Sequence, residues 1–315
     1  MTRSTTKSSS GLGTATAGFA AQRLTTLTAL ALLLAVSGPA LAEDSAKTSS
    51  SGTQALAAKA DPVAPPLQPG STWDDLKADI LGKVMPKEAD GIVSLEAPYR
   101  ANDAATVPIV LSQPSAAAPR IQSAKLIIDE NPAPVAGTFT FGPAMHPLNM
   151  ELRVRVNQYS NVRLIAETDQ GPVMTGRFVK ASGGCSAPAT RDPQLALSTM
   201  GEIRVRSFPK AEAAAAMSTP DGQRRETQVM IRHPNYSGLQ RDQITQLFIA
   251  AHFIDKLTVY QGDDLLFSME GGISISENPV FRFSYTDNGT PDLTIHMEDT
   301  EGNSWDKTLP KQVEG

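Results

Sequence analysis

The 315-residue chain has one cysteine, Cys185, in the stretch Gly183-Gly184-Cys185-Ser186-Ala187-Pro188. A thiolate is both a nucleophile and a soft ligand, so covalent chemistry is to be sought here first. Its pKa, near ~8.5 when free, falls beside positive charge and rises on apolar burial. Arg177, Lys180 and Arg191 are the cations near it in sequence. Gly183 and Gly184 are expected to give a carrier arm its flexibility, and they remove side-chain bulk just before the sulfur, so the backbone could enter a narrow pocket on another protein. That suits a carrier arm that delivers its thiol to other enzymes. It suits a catalytic nucleophile poorly, because catalysis needs a base held within about 3.2 Å and a rigid frame. An incidental linker cysteine is the alternative.

The histidines say less. His233 precedes Pro234 at the end of an apolar run, His252 begins one, and His296 alternates with Leu293 and Met297; each reads as a structural or surface histidine. His146, in Met145-His146-Pro147-Leu148-Asn149-Met150, combines with His296-Met297 into a soft set that would suit Cu(I) if the two segments met. The chain contains no His-Glu-x-x-His, Walker loop, dinucleotide fingerprint, CxxC pair or Gly-x-Ser-x-Gly, so no cofactor and no enzymatic activity are expected. Asn235-Tyr236-Ser237 and Asn288-Gly289-Thr290 match the glycosylation sequon without deciding anything.

These residues must be positioned by the rest of the chain. Leu24 to Val36 is almost entirely apolar, follows Arg3, Lys7 and Arg23, and leads to Ala40-Leu41-Ala42. It is shorter than the roughly 20 residues a bilayer span needs, so residues 1–42 read as a Sec-type signal peptide with a long leader and no twin-arginine pair. The product is then expected to be periplasmic. Removing three cations and no carboxylate takes the net charge from −5 to −8. An acidic mature chain without a later apolar span points away from nucleic acid and from a membrane. A single cysteine cannot form an intramolecular disulfide.

Residues 43–70 are rich in Ala, Ser, Lys and Pro and read as a disordered tether. From Ser71 to Leu81 the period is helical: Ser71 or Thr72 can cap, and Trp73, Leu76, Ile80 and Leu81 share a face suited to plugging a sandwich end. The period then becomes that of strands. Ile92–Leu95, Val107–Leu111, Ala124–Ile128, Thr138–Phe141, Glu151–Val156, Val162–Glu167 and Val173–Val179 are separated by turn residues. Arg153 and Arg155 alternate with Leu152, Val154 and Val156 as on a sheet with one wet face. Lys180 to Ser198 has little to pack and reads as a linker. Beyond it come Glu202–Ser207, Thr227–Arg232, Phe253–Gln261, Asp264–Met269, Val280–Tyr285, Leu293–Met297 and Asn303–Lys307, while Ala211–Met217 fits either a helical turn or a loop. The expected class is all-β: two immunoglobulin-like sandwiches, 71–180 and 199–315, joined by a flexible linker (181–198) carrying Cys185.

Several motifs together resemble one family. Gly183-Gly184-Cys185 is similar to the first half of the Gly-Gly-Cys-Gly-Gly arm that ends the SoxY sulfur carrier. Arg232-His233-Pro234, Ser237-Gly238, His252-Phe253-Ile254 and Ser276-Glu277-Asn278-Pro279 resemble its partner SoxZ. Residues Ala97 to Ala105 and Asp129 to Pro134 look like the pattern of the fused form described as quinoprotein dehydrogenase-associated. The resemblance covers about Trp73 to Pro310. It implies a periplasmic, non-enzymatic carrier that holds a sulfur cargo on Cys185 and presents it to redox enzymes, among them a PQQ-dependent dehydrogenase or its cytochrome. Ser186-Ala187 replaces the terminal glycines, and the arm is tied at both ends. The rival expectations are an adaptor for such a dehydrogenase, working through sandwich surfaces, and a periplasmic copper-binding protein.

Overall fold

The computed structural model describes residues 65–189, 193–208 and 223–311. The expected signal peptide, most of the tether, Arg191 and Ala211–Met217 lie outside the described residues. Helix α1 spans Ser71–Leu81, as its periodicity predicts. The first half then runs through β1 (Lys87–Glu88), β2 (Ser94–Glu96), β3 (Val107–Ser112), β4 (Ile121–Ile128), β5 (Val135–Phe141), β6 (Asn149–Val154), β7 (Ser160–Thr168) and β8 (Gly171–Val179). A short helix α2 (Pro193–Ser198) precedes β9 (Ile203–Phe208), β10 (Arg224–Ile231), β11 (Ile254–Gln261), β12 (Asp264–Gly271), β13 (Val280–Thr286), β14 (Asp292–Asp299) and β15 (Ser304–Pro310). No described helix is long and apolar enough to cross a membrane.

The all-β sandwich class is as expected, but its organisation is not two sandwiches on a string. Nine strands form one sheet in the order β1-β8-β7-β4-β5-β12-β11-β14-β15, and six form the other, β2-β3-β6-β13-β10-β9. Both sheets cross from the first half to the second. In the larger, β5 pairs antiparallel with β12, setting Phe141 opposite Phe267 and Phe139 opposite Met269. In the smaller, β6 pairs with β13, setting Met150 opposite Phe283. Alternation aims the apolar residues of both sheets inward, and one continuous core runs from Leu95, Ile109 and Leu126 through Phe139, Phe267 and Phe283 to Leu257 and Ile295. An edge strand left unpaired in either half would expose a row of backbone groups, and pairing across the halves covers four such edges, one each on β5, β12, β6 and β13.

Two smaller expectations also change. Gly70, with no side-chain bond, occupies the N-cap of α1 in place of Ser71 or Thr72. The helix lies over the outer face of the nine-stranded sheet instead of plugging an end, with the Arg163 guanidinium 4.1 Å from the Trp73 ring centre. Beneath that ring Arg163 forms a buried ion pair with Asp129 at 2.8 Å. The described end of the tether is ordered as well: the Phe178 amide donates to Pro65 O, and Asn161 exchanges two hydrogen bonds with the Gln68 backbone.

Candidate functional site

The chain leaves β8 and reaches Gly183, which adopts φ 79°, ψ 12°. A Cβ is disfavoured in that left-handed conformation, so glycine suits the bend. Gly184–Ser186 then make one 3-10 turn. The Gly183 amide donates to Asn157 O at 2.8 Å and the Gly184 amide to Val156 O at 3.0 Å, so the segment runs beside the strand end that follows β6. At Gly184 a Cβ would stand 2.1 Å from Ala104 O and 2.7 Å from Val156 O. These glycines were expected to give an arm its freedom. Their structural duty differs: one makes a left-handed bend, and the other lets two backbones approach each other.

Cys185 is accordingly not presented on an exposed linker; its exposure is 0%. The second half completes its enclosure. Ser237 Oγ donates to Cys185 O, and Gln240 Nε2 donates to Ala187 O at 3.0 Å. Burial pushes the thiol up to about 11, against the downward pull of the Arg155 guanidinium. The cations favoured by sequence proximity serve elsewhere. Arg177 donates to the Gly176 carbonyl, and Lys180 sits over the rings of Tyr99 and Tyr159. Arg191 lies outside the described residues. Beside the turn, a surface groove of about 250 Å³ is lined by Ser186, Pro188, Leu239, Arg241, Asp242 and their neighbours.

Arg155 is the residue that sequence patterning misplaced. Its alternation with Arg153 put both on a wet face, yet β6 ends at Val154 and Arg155 is 1% exposed. Its amide bonds Ser274 O, and its Nη1 donates to the carbonyls of Ile273 and Ile275. Asn131 braces the same corner, donating from Nδ2 to Arg155 O and Ser274 Oγ and accepting from the Asn157 amide, each at 2.8 Å. This explains the Asp129 to Pro134 motif locally: Asp129 neutralises Arg163, and Asn131 ties together the backbone behind the cysteine turn.

The histidines also assemble in a way their spacing did not show. His233 Nε2 and His252 Nε2 both donate to Asp299 Oδ2, at 3.3 and 2.6 Å, and all three residues are buried. His233 Nδ1 accepts the Asn235 amide, which leaves its proton on Nε2. By residue type this trio could hold a metal. Zinc bonds of about 2.0–2.2 Å in a tetrahedral site would keep ligand atoms about 3.3 Å apart, so the 2.6 Å contact is that of a hydrogen bond. Burial lowers the His233 pKa, ahead of the opposing pull of Asp299. Burial alone would raise the Asp299 carboxyl, but hydrogen bonds led by those from Asn303 and His252 take it down to about 2. The copper set does not form. His146 contacts Gln113 Oε1 and Ala116 O, whereas His296 lies between Asp306 and Glu298. Met145 and Met297 are core side chains. Asn235, one of the two sequon asparagines, is fully buried, its amide donating to Ser276 O.

Residues 77–185 match the family described as sulfur oxidation protein SoxY, and residues 215–310 match the family described as sulphur oxidation protein SoxZ, together more than half of the chain. The chain belongs to the fused SoxYZ-like carrier family. The SoxY match ends on Cys185 itself. Among solved structures, the sulfur carrier protein SoxY from Chlorobium limicola f thiosulfatophilum is similar at 22% identity, covering 35% of this chain and 92% of that one, with a TM-score of 0.30. A β-glycosidase from Bacteroides vulgatus is similar at 8% identity, covering 70% of this chain and 24% of that one, with a TM-score of 0.21. No curated protein matches. Sox carriers work with redox enzymes of sulfur oxidation, and the seam between SoxY-like and SoxZ-like halves is where this chain's thiol sits.

Proposed function

We propose that this protein is a periplasmic carrier that holds a sulfur cargo covalently on Cys185 and presents it to redox enzymes, working with a quinoprotein dehydrogenase system. One observation carries the proposal: the only cysteine closes the SoxY-like half and is clasped by backbone of that half and side chains of the SoxZ-like half. Loading is an exchange at sulfur. The Cys185 thiolate attacks a sulfur–sulfur bond of the donor, a new bond forms at Sγ, and the displaced sulfur leaves with the electron pair. No external oxidant enters, and a second thiolate releases the cargo by the same exchange.

A protonated, enclosed thiol cannot do this in place, so the turn must leave the seam to load and unload. Opening it breaks the two amide bonds to Val156 and Asn157 and the clasps from Ser237 and Gln240. At a net ~1 kcal/mol each, that is a cost of a few kcal/mol, which a docking enzyme can supply. Mass spectrometry of protein purified from its own periplasm tests the proposal. A mass increment on Cys185 that dithiothreitol removes is expected; a bare thiol under every growth condition that expresses the protein would overturn it.

The full burial of Cys185 favours a second reading, in which the thiol fills the seam and the protein is an adaptor. The two separate on Cys185→Ser: the carrier loses its physiological activity, whereas the adaptor keeps it and loses it instead to changes on an exposed strand face. Co-purification with the dehydrogenase or its cytochrome would support the quinoprotein link.

A further inference from the structure

Arg155 is a cation in an unusual position. It is 1% exposed, and among the described residues no carboxylate stands within salt-bridge distance of it. Its Nη1 has only the neutral carbonyls of Ile273 and Ile275, and its buried Nε has no partner. Burying a guanidinium without a counter-anion is costly, and a buried donor left unpaired adds to that cost. The backbone next to it, Val156 and Asn157, carries the cysteine turn. Cys185 and Arg155 act on each other's protonation: the thiol is the first group to support the Arg155 charge against burial, ahead of Glu277 and Asp103, and Arg155 is the charged group that pulls on the thiol. With the thiol neutral, Arg155 has only the Glu277 and Asp103 carboxylates, both beyond salt-bridge distance, to offset its buried charge. An anion on Sγ would provide a counter-ion.

We propose that Arg155 is the counter-ion of an anionic sulfur group on Cys185, a thiolate, a persulfide or a thiosulfonate-ended adduct, and that it makes the sheltered seam selective for negatively charged cargo. This rests on the carrier reading for its biological meaning, since it names the charge class of what is carried. Physically it makes the closed turn more stable when the adduct is anionic than when it is neutral. Arg155 would act as a specificity residue, touching the cargo without taking part in the exchange.

Two adducts of nearly equal reach test it on the full chain. Tetrathionate at alkaline pH loads an anionic group: the thiolate attacks an inner sulfur, giving Sγ–S–SO3⁻ and releasing thiosulfate with the electron pair. Methyl methanethiosulfonate gives neutral Sγ–S–CH3 and releases methanesulfinate. Each is brought to full occupancy by mass and melted, in the wild type, Arg155→Lys and Arg155→Gln. In the wild type and in Arg155→Lys the anionic adduct should melt at or above the neutral one. In Arg155→Gln it should fall below it by about 2–4 °C or more. A purely structural arginine would shift both adducts alike, so an unchanged difference in Arg155→Gln overturns the proposal. If neither variant folds, the wild type decides: an anionic adduct that melts below the neutral one overturns it. Failure of the carrier reading looks different, because protein taken from the periplasm would then be bare while the charge selectivity persisted. A native adduct without charge selectivity would remove this inference alone.

Discussion

Gly184→Ala separates a packed cysteine turn from a free arm. The added methyl would lie 2.1 Å from Ala104 O and 2.7 Å from Val156 O, both main-chain atoms that cannot swing aside. Relief requires the turn to move outward, which breaks the Gly184 bond to Val156 and the Gly183 bond to Asn157. Overpacking of about 1–3 kcal/mol and two hydrogen bonds of about 0.5–1 kcal/mol each put the cost at roughly 2–5 kcal/mol. If that cost falls on local opening, Cys185 should react with a neutral disulfide reagent roughly thirty-fold to a few thousand-fold faster, at 1.4 kcal/mol per tenfold. The assay is labelling under conditions where the rate is proportional to reagent concentration, so that it reports the opening equilibrium. Gly183→Ala is the internal comparison. Its methyl meets nothing closer than 4.0 Å and bears only the left-handed strain, so its effect should be the smaller of the two. Labelling of Gly184→Ala within about two-fold of wild type would refute the packed turn and restore the flexible arm.

Other outcomes follow from the same geometry. With its thiol pushed up to about 11 and enclosed, native Cys185 should label at neutral pH more than about ten-fold slower than in urea-unfolded protein; an immediate burst would contradict this. Asp129→Ala strands Arg163 beneath Trp73, and removing one partner of so buried a pair should cost about 3–5 kcal/mol in urea unfolding followed by tryptophan fluorescence. The folded His233 resists a proton that the unfolded chain accepts near ~6.5, so stability should be full above that pH and decline as pH falls below it. Asp299 adds a second, lower window: its folded carboxyl is depressed to about 2, so its stabilisation is complete above ~3.8 and lost as pH falls towards 2. His233→Gln should flatten the slope of urea midpoint against pH in the upper window while leaving the lower one in place.

Strand positions were readable because they depend on local alternation. All fourteen expected runs have a strand at or within a few residues of the place expected, and α1 spans Ser71–Leu81. The two-residue β1 has no period to detect. The pairing of Phe141 with Phe267, and of Met150 with Phe283, was not readable, because partner choice between sheet edges depends on which surfaces meet once both halves fold. A sequence full of separate strand signals is the same whether two sandwiches stay apart or share their sheets.

For the site, the chain by itself singled out Cys185, since a unique thiol is a matter of composition, and its motifs carried the family resemblance that the SoxY and SoxZ matches show. Only the tertiary structure decided what surrounds that sulfur. Exposure of Cys185, the crowding at Gly184, the burial of Arg155 with its Nε unpaired and the meeting of His233, His252 and Asp299 all depend on chain segments far apart in sequence. Small residues read locally as freedom. Against Ala104 and Val156 the same smallness becomes close packing, because backbone that lacks a side chain can be bonded by its neighbours as readily as it can move.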